Sequence, residues 1–274
     1  MDHRGDRRRS SLEEDQRKTV RKIHQMKVIK SPGHRNEIQP IEWTPYTGET
    51  VIINTIIRQG KRIKETAYYE DTVKAVPQGN AYCIGNGPSR KDFDLTLLKE
   101  TGQTYGCNAL YRDFIPDYLF SVDALMSREI SENKVYERCV CYAPSLEVNR
   151  NTGLKLIPLN PHYTSGNQAI WTATVHGHKN IYMIGYDFRE YGPGQLNNIY
   201  QGTDCYGERN GADIFEGWYT TLRKIIKQRP YCNFTLVHDN PPEYFDHMQT
   251  GTDLKNTFKM TYAEFRKKVL DQTA

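Results

Sequence analysis

From Ala81 onward the chain alternates short apolar runs with longer segments of helical character, and few architectures satisfy that alternation. Strands are predicted at Tyr82–Gly85, Thr104–Cys107, Asp117–Val122, Arg138–Tyr142, Lys155–Ile157, Asn180–Gly185 and Asn233–His238. Helices are predicted at Lys91–Glu100, Ala124–Asn133, Gly166–His176 and Ala212–Lys227. Strands separated by helices of ten or more residues cannot pair as hairpins. They form a mostly parallel sheet with helices on its faces, so the expected class is α/β. In such sheets ligands bind beyond the carboxyl ends of the strands.

Those ends carry polar residues of one kind. They are Asn86 and Ser89, then Asn108, Asp123, Thr164-Ser165-Gly166, Asp187 and His238-Asp239-Asn240. Asn and Asp read ribose hydroxyls and base edges, while Ser, Thr and Gly at helix starts accommodate phosphate. Each residue alone also fits an ordinary turn or cap. Their recurrence at one sheet edge describes a nucleotide site. Its first turn is Gly85-Asn86-Gly87-Pro88-Ser89, where two glycines let backbone N–H groups approach a ligand, Pro88 fits a first helical turn and Ser89 caps it.

Charge separates this body from what precedes it. The 274 residues carry a formal net charge of +4, yet residues 1–35 hold eleven Lys/Arg against five Asp/Glu. The remaining residues hold 26 against 28 and are near neutral. Residues 1–35 therefore read as a basic, partly disordered arm, with Ser11–Glu14 a capping box for a marginal helix. It is either a solvated tail or a contact for polyanions such as nucleic acid or an acidic surface. Residues 36–80 read as a β-hairpin extension annexed to the main sheet, with strands at Val51–Ile57 and Arg62–Tyr69. Residues 81–274 read as one nucleotide-binding α/β domain, closing with a capping box at Thr261–Glu264 before a helix at Phe265–Leu270.

Six scattered cysteines read as buried free thiols, and Cys139-x-Cys141 fits neither a zinc knuckle nor a thioredoxin-type pair. With no apolar run of membrane-spanning length and no secretory signal, a soluble cytoplasmic protein is the simplest expectation.

Several blocks together resemble glycosyltransferase family 42, the bacterial sialyltransferases that use CMP-sialic acid. These are Gly85–Ser89, Cys107-Asn108, Thr164-Ser165-Gly166 and Ile181–Phe188, in that order over roughly residues 80–240. The resemblance implies a single Rossmann-like, GT-A-like variant sheet. It assigns nucleotide binding to Asn86, Gly87, Ser89, Asn108, Thr164, Ser165, Gly166 and Asp187, to which the strand-end reading adds Gly85 and Asp123. The family's catalytic His lies in a Gly-His pair ahead of an Asp-Ile helix start. Here Asp213-Ile214 follows Gly207-Glu208, so Glu208 takes the place of the general base, its alternative being a solvated loop residue. The family's Tyr after Gly-x-Asp-Phe is Arg189 here, and Arg189 or the nearby Tyr191 would stabilise the departing phosphate. The family's Arg before Thr-Ser-Gly is absent, with His162 and Tyr163 in its place. Glu190–Gly211, rich in glycine and holding three tyrosines, reads as a mobile lid or a flexible insertion.

The expected function is metal-independent transfer of a sugar from a CMP- or UDP-linked donor to a glycan or other hydroxyl acceptor, with no further cofactor. Two alternatives stand beside it. The Gly-x-Gly-Pro-Ser turn and Ser121-Val122-Asp123 also resemble the archaeal 6-hydroxymethylpterin diphosphokinase-like family, whose chemistry needs ATP, Mg²⁺ and several carboxylates. A non-catalytic nucleotide or nucleic-acid binding module using the basic arm is the other.

Overall fold

The computed structural model describes residues 49–58, 61–70, 79–157, 160–188, 190–192, 195–196, 198–206, 212–242, 245 and 254–271. The basic arm at 1–35 lies outside these residues.

Strands β1 (Glu49–Arg58) and β2 (Lys61–Glu70) pair with each other in a two-stranded sheet of their own. The hairpin expected within residues 36–80 is present over these two strands. The main sheet has eight strands, all parallel: β3 (Asn80–Ile84), β4 (Gly102–Cys107), β5 (Tyr118–Phe120), β6 (Val140–Ala143), β7 (Lys155–Leu156), β8 (Asn180–Ile184), β11 (Asn233–Val237) and β12 (Thr257–Met260). A separate antiparallel ribbon joins β9 (Glu190–Gly192) to β10 (Gln195–Leu196).

Strand order across the main sheet is β12-β11-β8-β3-β4-β5-β6-β7. The chain thus builds outward from β3 to β7, crosses back, and builds the other way from β8. The crossover is helix α3 (Ser165–Val175), which follows α1 (Ala124–Glu132) and α2 (Ser145–Arg150). Every α3 residue except Gly166 is buried. A helix buried on all sides, its polar Ser165, Asn167, Gln168, Thr172 and Thr174 included, has no solvent face to present, which suits a central crossover. Helix α4 (Ala212–Gln228) packs beside it. Along β3, Ala81 and Cys83 enter the core layer shared with α3, and Tyr82 and Ile84 enter the opposite layer, all fully buried. Both faces of the sheet are covered, which explains the continuous apolar runs in the sequence.

Three local expectations differ. The helix expected at Lys91–Glu100 is replaced by two 3₁₀ turns, Pro88–Arg90 and Leu95–Leu98. The Asp94 carboxylate accepts the Thr96 N–H at 2.9 Å and restarts the chain there, the competition with helix that short polar side chains offer. Helix α2 and strand β12 were not anticipated. The C-terminal capping box is present at Thr261 and Glu264, but α5 (Tyr262–Phe265) passes into a π turn over Arg266–Leu270. All six cysteines are free, with Cys139 and Cys141 Sγ atoms 3.7 Å apart on one side of β6. Among the described residues, no helix is long and apolar enough to cross a membrane.

Candidate nucleotide site

Strand order reverses between β3 and β8, and the chain diverges there to opposite sides of the sheet. A cavity of about 310 Å³ opens at this point, beyond the carboxyl ends of the strands. Ligand pockets generally span about 300–1,000 Å³, so it is at the compact end.

Five segments supply most of its walls. The turn after β3 gives Gly85, Asn86 and Gly87, and the end of β4 gives Cys107 and Asn108. The end of β5 gives Val122 and Asp123, and the start of α3 gives Thr164, Ser165 and Gly166. The turn after β8 gives Tyr186, Asp187 and Phe188. Nine of the ten residues expected to hold a nucleotide therefore meet around one cavity. Ser89 stands outside its lining.

The β3 turn works differently from the sequence expectation. The Gly85 N–H donates to Ile184 O at 2.8 Å, and the Gly87 N–H donates to Gly185 O at 2.9 Å, extending the ladder with β8. The Ser89 N–H and hydroxyl both donate to the Asp187 carboxylate. These donors of Gly85, Gly87 and Ser89 are committed within the protein. The turn's glycines are needed for a further reason: a Cβ on Gly85 would collide with the Gly185 carbonyl, and one on Gly87 would lie 2.5 Å from the Asp187 carboxylate. Pro88 opens one 3₁₀ turn, so no helix dipole points back from it. Helix α3 supplies that instead. The N–H groups of its first turn lack intrahelical partners by construction and face an opening edged by Thr164 and Gly166. The Ser165 hydroxyl accepts the Val122 N–H at 3.0 Å and pins the helix start to β5.

Asp187 is a brace. It is 6% exposed, holds Ser89 on one side, and faces His238 Nε2 at 3.6 Å on the other. His238 Nδ1 accepts the Asn240 N–H at 2.9 Å, which leaves Nε2 to carry the ring proton toward Asp187. Burial opposes ionisation of Asp187, but the neighbouring His238 and the Ser89 hydrogen bonds outweigh it and hold its carboxyl below the usual range. A lowered folded-state value contributes stability above the unfolded carboxylate pKa of about 3.9 and loses it as pH falls through the folded value. Asp187→Asn should therefore be less stable than the parent at pH 7, with the gap closing as pH drops below about 4. Chemical denaturation at each pH checks this; a constant gap would remove the ionised brace.

Of the loop expected as a lid, residues 198–206 form a fixed strap. The Ile199 N–H donates to Asn86 O at 2.9 Å. The buried Tyr200 receives Arg90 Nη2 at 3.0 Å and donates to Asp113 at 2.6 Å, while Arg90 Nε reaches Gly85 O at 2.7 Å. Further on, Arg112 joins Glu129 at 2.6 Å and donates to Thr203 Oγ1 at 2.7 Å. Cys205 Sγ donates to Glu129 at 3.2 Å. The strap brings Asn198 to the cavity wall.

Glu208 and Arg189 lie outside the described residues. Tyr191 falls on β9, and its side chain is likewise not described. Asp123 is exposed while Asp187 is buried and committed, so the two do not form a carboxylate pair for a cation. Among the described residues, no three His, Cys, Asp or Glu side chains converge as a metal site. The sequence reading missed Asn167, Trp218 and Asn198. Asn167 donates to Trp218 O at 3.0 Å and ties α3 to α4 at the cavity, a link between helices that no local pattern announces.

No protein-family model and no curated protein matches the chain. A solved structure similar to it is that of the sialyltransferase CstII from Campylobacter jejuni, in complex with the substrate analogue CMP-3FNeuAc. The identity is 16%, with a TM-score of 0.39, over 60% of this chain and 83% of that chain.

Proposed function

We propose that the protein is a glycosyltransferase that moves a sugar from a CMP- or UDP-linked donor to a hydroxyl of a glycan or other acceptor. One observation carries this reading. The strand-end residues that resemble the sialyltransferase blocks converge on a single cavity at the point where the strand order reverses, with a helix N-terminus at its edge. That position is where open α/β sheets bind nucleotides.

In the proposed reaction the acceptor oxygen bonds to the anomeric carbon, and the bond from that carbon to the phosphate oxygen breaks with its electron pair. Glu208 takes the acceptor proton. Arg189, one residue after the cavity-lining Phe188, or Tyr191 neutralises the departing phosphate together with the first turn of α3. These charges meet the leaving group without a metal ion. Sequence position supports the assignment of Glu208: like the family's base, it follows a glycine ahead of the Asp213-Ile214 helix start. The basic arm at 1–35 is assigned contact with a polyanionic acceptor.

Thermal denaturation against CMP, UDP, GDP and ATP, each with and without Mg²⁺, tests the site. A ligand bound by the folded state alone raises the melting temperature, by an amount that grows with concentration. CMP or UDP should stabilise without metal. A shift with ATP only in the presence of Mg²⁺ would turn the reading toward diphosphate transfer, and no shift with any nucleotide would end it.

A further inference from the structure

The main sheet carries a second cavity at its other edge, by the amino ends of β4, β5, β6 and β7. It holds about 630 Å³ and is open to solvent. Two free thiols line it, those of Cys139 and Cys141. Side chains two residues apart on a strand point to one face, and here the Sγ atoms lie 3.7 Å apart.

The two sulfurs differ in access. Cys139 is half-buried where β6 begins, whereas Cys141 is 1% exposed within the apolar layer beneath. Lys99, Arg138 and Lys155 stand on the same cavity wall with Asp117 and Glu137. Asp117 is already engaged, its carboxylate accepting the Thr104 N–H at 2.8 Å and hydroxyl at 2.7 Å. A reachable thiol among cations is the setting of a reactive cysteine, and a thiol sealed in apolar surroundings is inert on its own.

We propose that Cys139 and Cys141 form a dithiol site, which exchanges with a small anionic disulfide of the glutathione type and closes to an intramolecular disulfide. The Cys139 thiolate attacks one sulfur of the incoming disulfide, whose S–S bond breaks, and one small thiolate leaves with the electron pair. Cys141 then gives its proton to solvent and attacks the Cys139 sulfur of the mixed disulfide, releasing the second small thiolate. The protein loses two protons and two electrons, and the incoming disulfide is reduced to two thiols. The adjacent Cys139 thiol, more than burial, pushes the Cys141 thiol pKa up. A sulfur in a mixed disulfide is a weaker hydrogen-bond partner and carries no thiolate charge. The first step therefore removes the largest obstacle to the second.

Closure brings the sulfurs from 3.7 Å to about 2.05 Å. Two residues of extended chain span at most about 6.6–7.2 Å, at the upper end of the Cα separations of about 4.4–6.8 Å that disulfides accept. The bond is therefore strained and readily reversed by a reductant. The inference is independent of the nucleotide reading, whose cavity lies at the opposite edge of the sheet.

Both cysteines fall on one tryptic peptide, residues 139–150, because Arg138 precedes it and Arg150 ends it. The full chain is incubated with oxidised glutathione, its remaining thiols are blocked with N-ethylmaleimide in denaturant, and the digest is analysed by mass spectrometry. The peptide should be unblocked and about 2 Da lighter than its dithiol form, and dithiothreitol should restore both thiols. Two blocked thiols, or a glutathione adduct of about 305 Da that persists on Cys139, would overturn the proposal. Cys141→Ala is a second arm, and the parent measurement stands whether or not this variant folds. It removes the resolving thiol, so the glutathione adduct on Cys139 should now persist. A Cys139 that stays unmodified in the folded variant would place that thiol out of reach and overturn the proposal too.

Discussion

Glu208→Gln is expected to lower turnover by about 10²–10⁴-fold, the range that a positioned general base contributes. Gln keeps the size and hydrogen-bonding capacity of Glu but cannot take up a proton at working pH. The acceptor hydroxyl would then attack with its proton still attached, and the barrier to forming the new glycosidic bond would rise. Donor affinity should be nearly untouched, because the residues proposed to hold the nucleotide are elsewhere, on the ends of β3, β4 and β8 and the start of α3. The separation of effects is the test. Steady-state kinetics with a CMP- or UDP-sugar, beside calorimetric binding of the nucleotide, would show low kcat with an unchanged dissociation constant. Undiminished kcat would remove Glu208 as the base, and a parallel loss of nucleotide binding would make it a binding residue.

Gly85→Ala should be strongly destabilising for a purely steric reason. The new Cβ would run into the backbone carbonyl of Gly185, and neither of two paired strand ends can swing aside as a flexible side chain would. Overpacking of this kind costs about 1–3 kcal/mol, and in a chain of this size each kcal/mol lowers the melting temperature by about 2–4 °C. Gly185→Ala meets the same obstacle from the other side, with its Cβ 2.8 Å from the Gly85 carbonyl, and adds the strain of φ +71°. That backbone term is about 1–2 kcal/mol for a residue with a Cβ. Because both substitutions force open the same contact, the double variant should lose less than the sum of the two single losses. Calorimetric melting of all three variants checks this. A Gly85→Ala protein that melts with the parent would show that the strand ends do not approach so closely.

The parts of this architecture that were legible in the sequence are those set by short-range pattern. Strand positions followed from apolar runs buried on both faces, and the cavity followed from a topological rule that places ligands at strand ends. Interactions across long stretches of chain were not legible. Ser89 and Asp187 are 98 residues apart, and nothing local says that the turn donors are consumed by that carboxylate and by β8. The glycines were recognised for the turn, but the close approach of Gly185 and Asp187 that also demands them was not. Likewise the helix expected after Pro88 fails on a single side-chain hydrogen bond at Asp94, a competition that periodicity does not register. Asn198 carried no signal at all, since it becomes relevant only once the 198–206 segment is seen tied against Asn86 and Asp113.

That strap bears on the order in which the molecule assembles. Its ties run from Ile199 back to Asn86 and from Tyr200 back to Arg90 and Asp113, spans of about a hundred residues. Closing such spans is entropically costly, so contacts of this kind tend to form after the local ones. A chain emerging during synthesis can pair β3 through β7 well before residue 206 exists, and until then the cavity has no Asn198 in its wall. In the native protein the same hierarchy runs in reverse. Polar ties on a surface segment open at lower free energy than the strands beneath them, so amide exchange at Ile199 and Tyr200 should outpace exchange in β3 and β8. The binding competence of the molecule would then come and go on a faster clock than its fold.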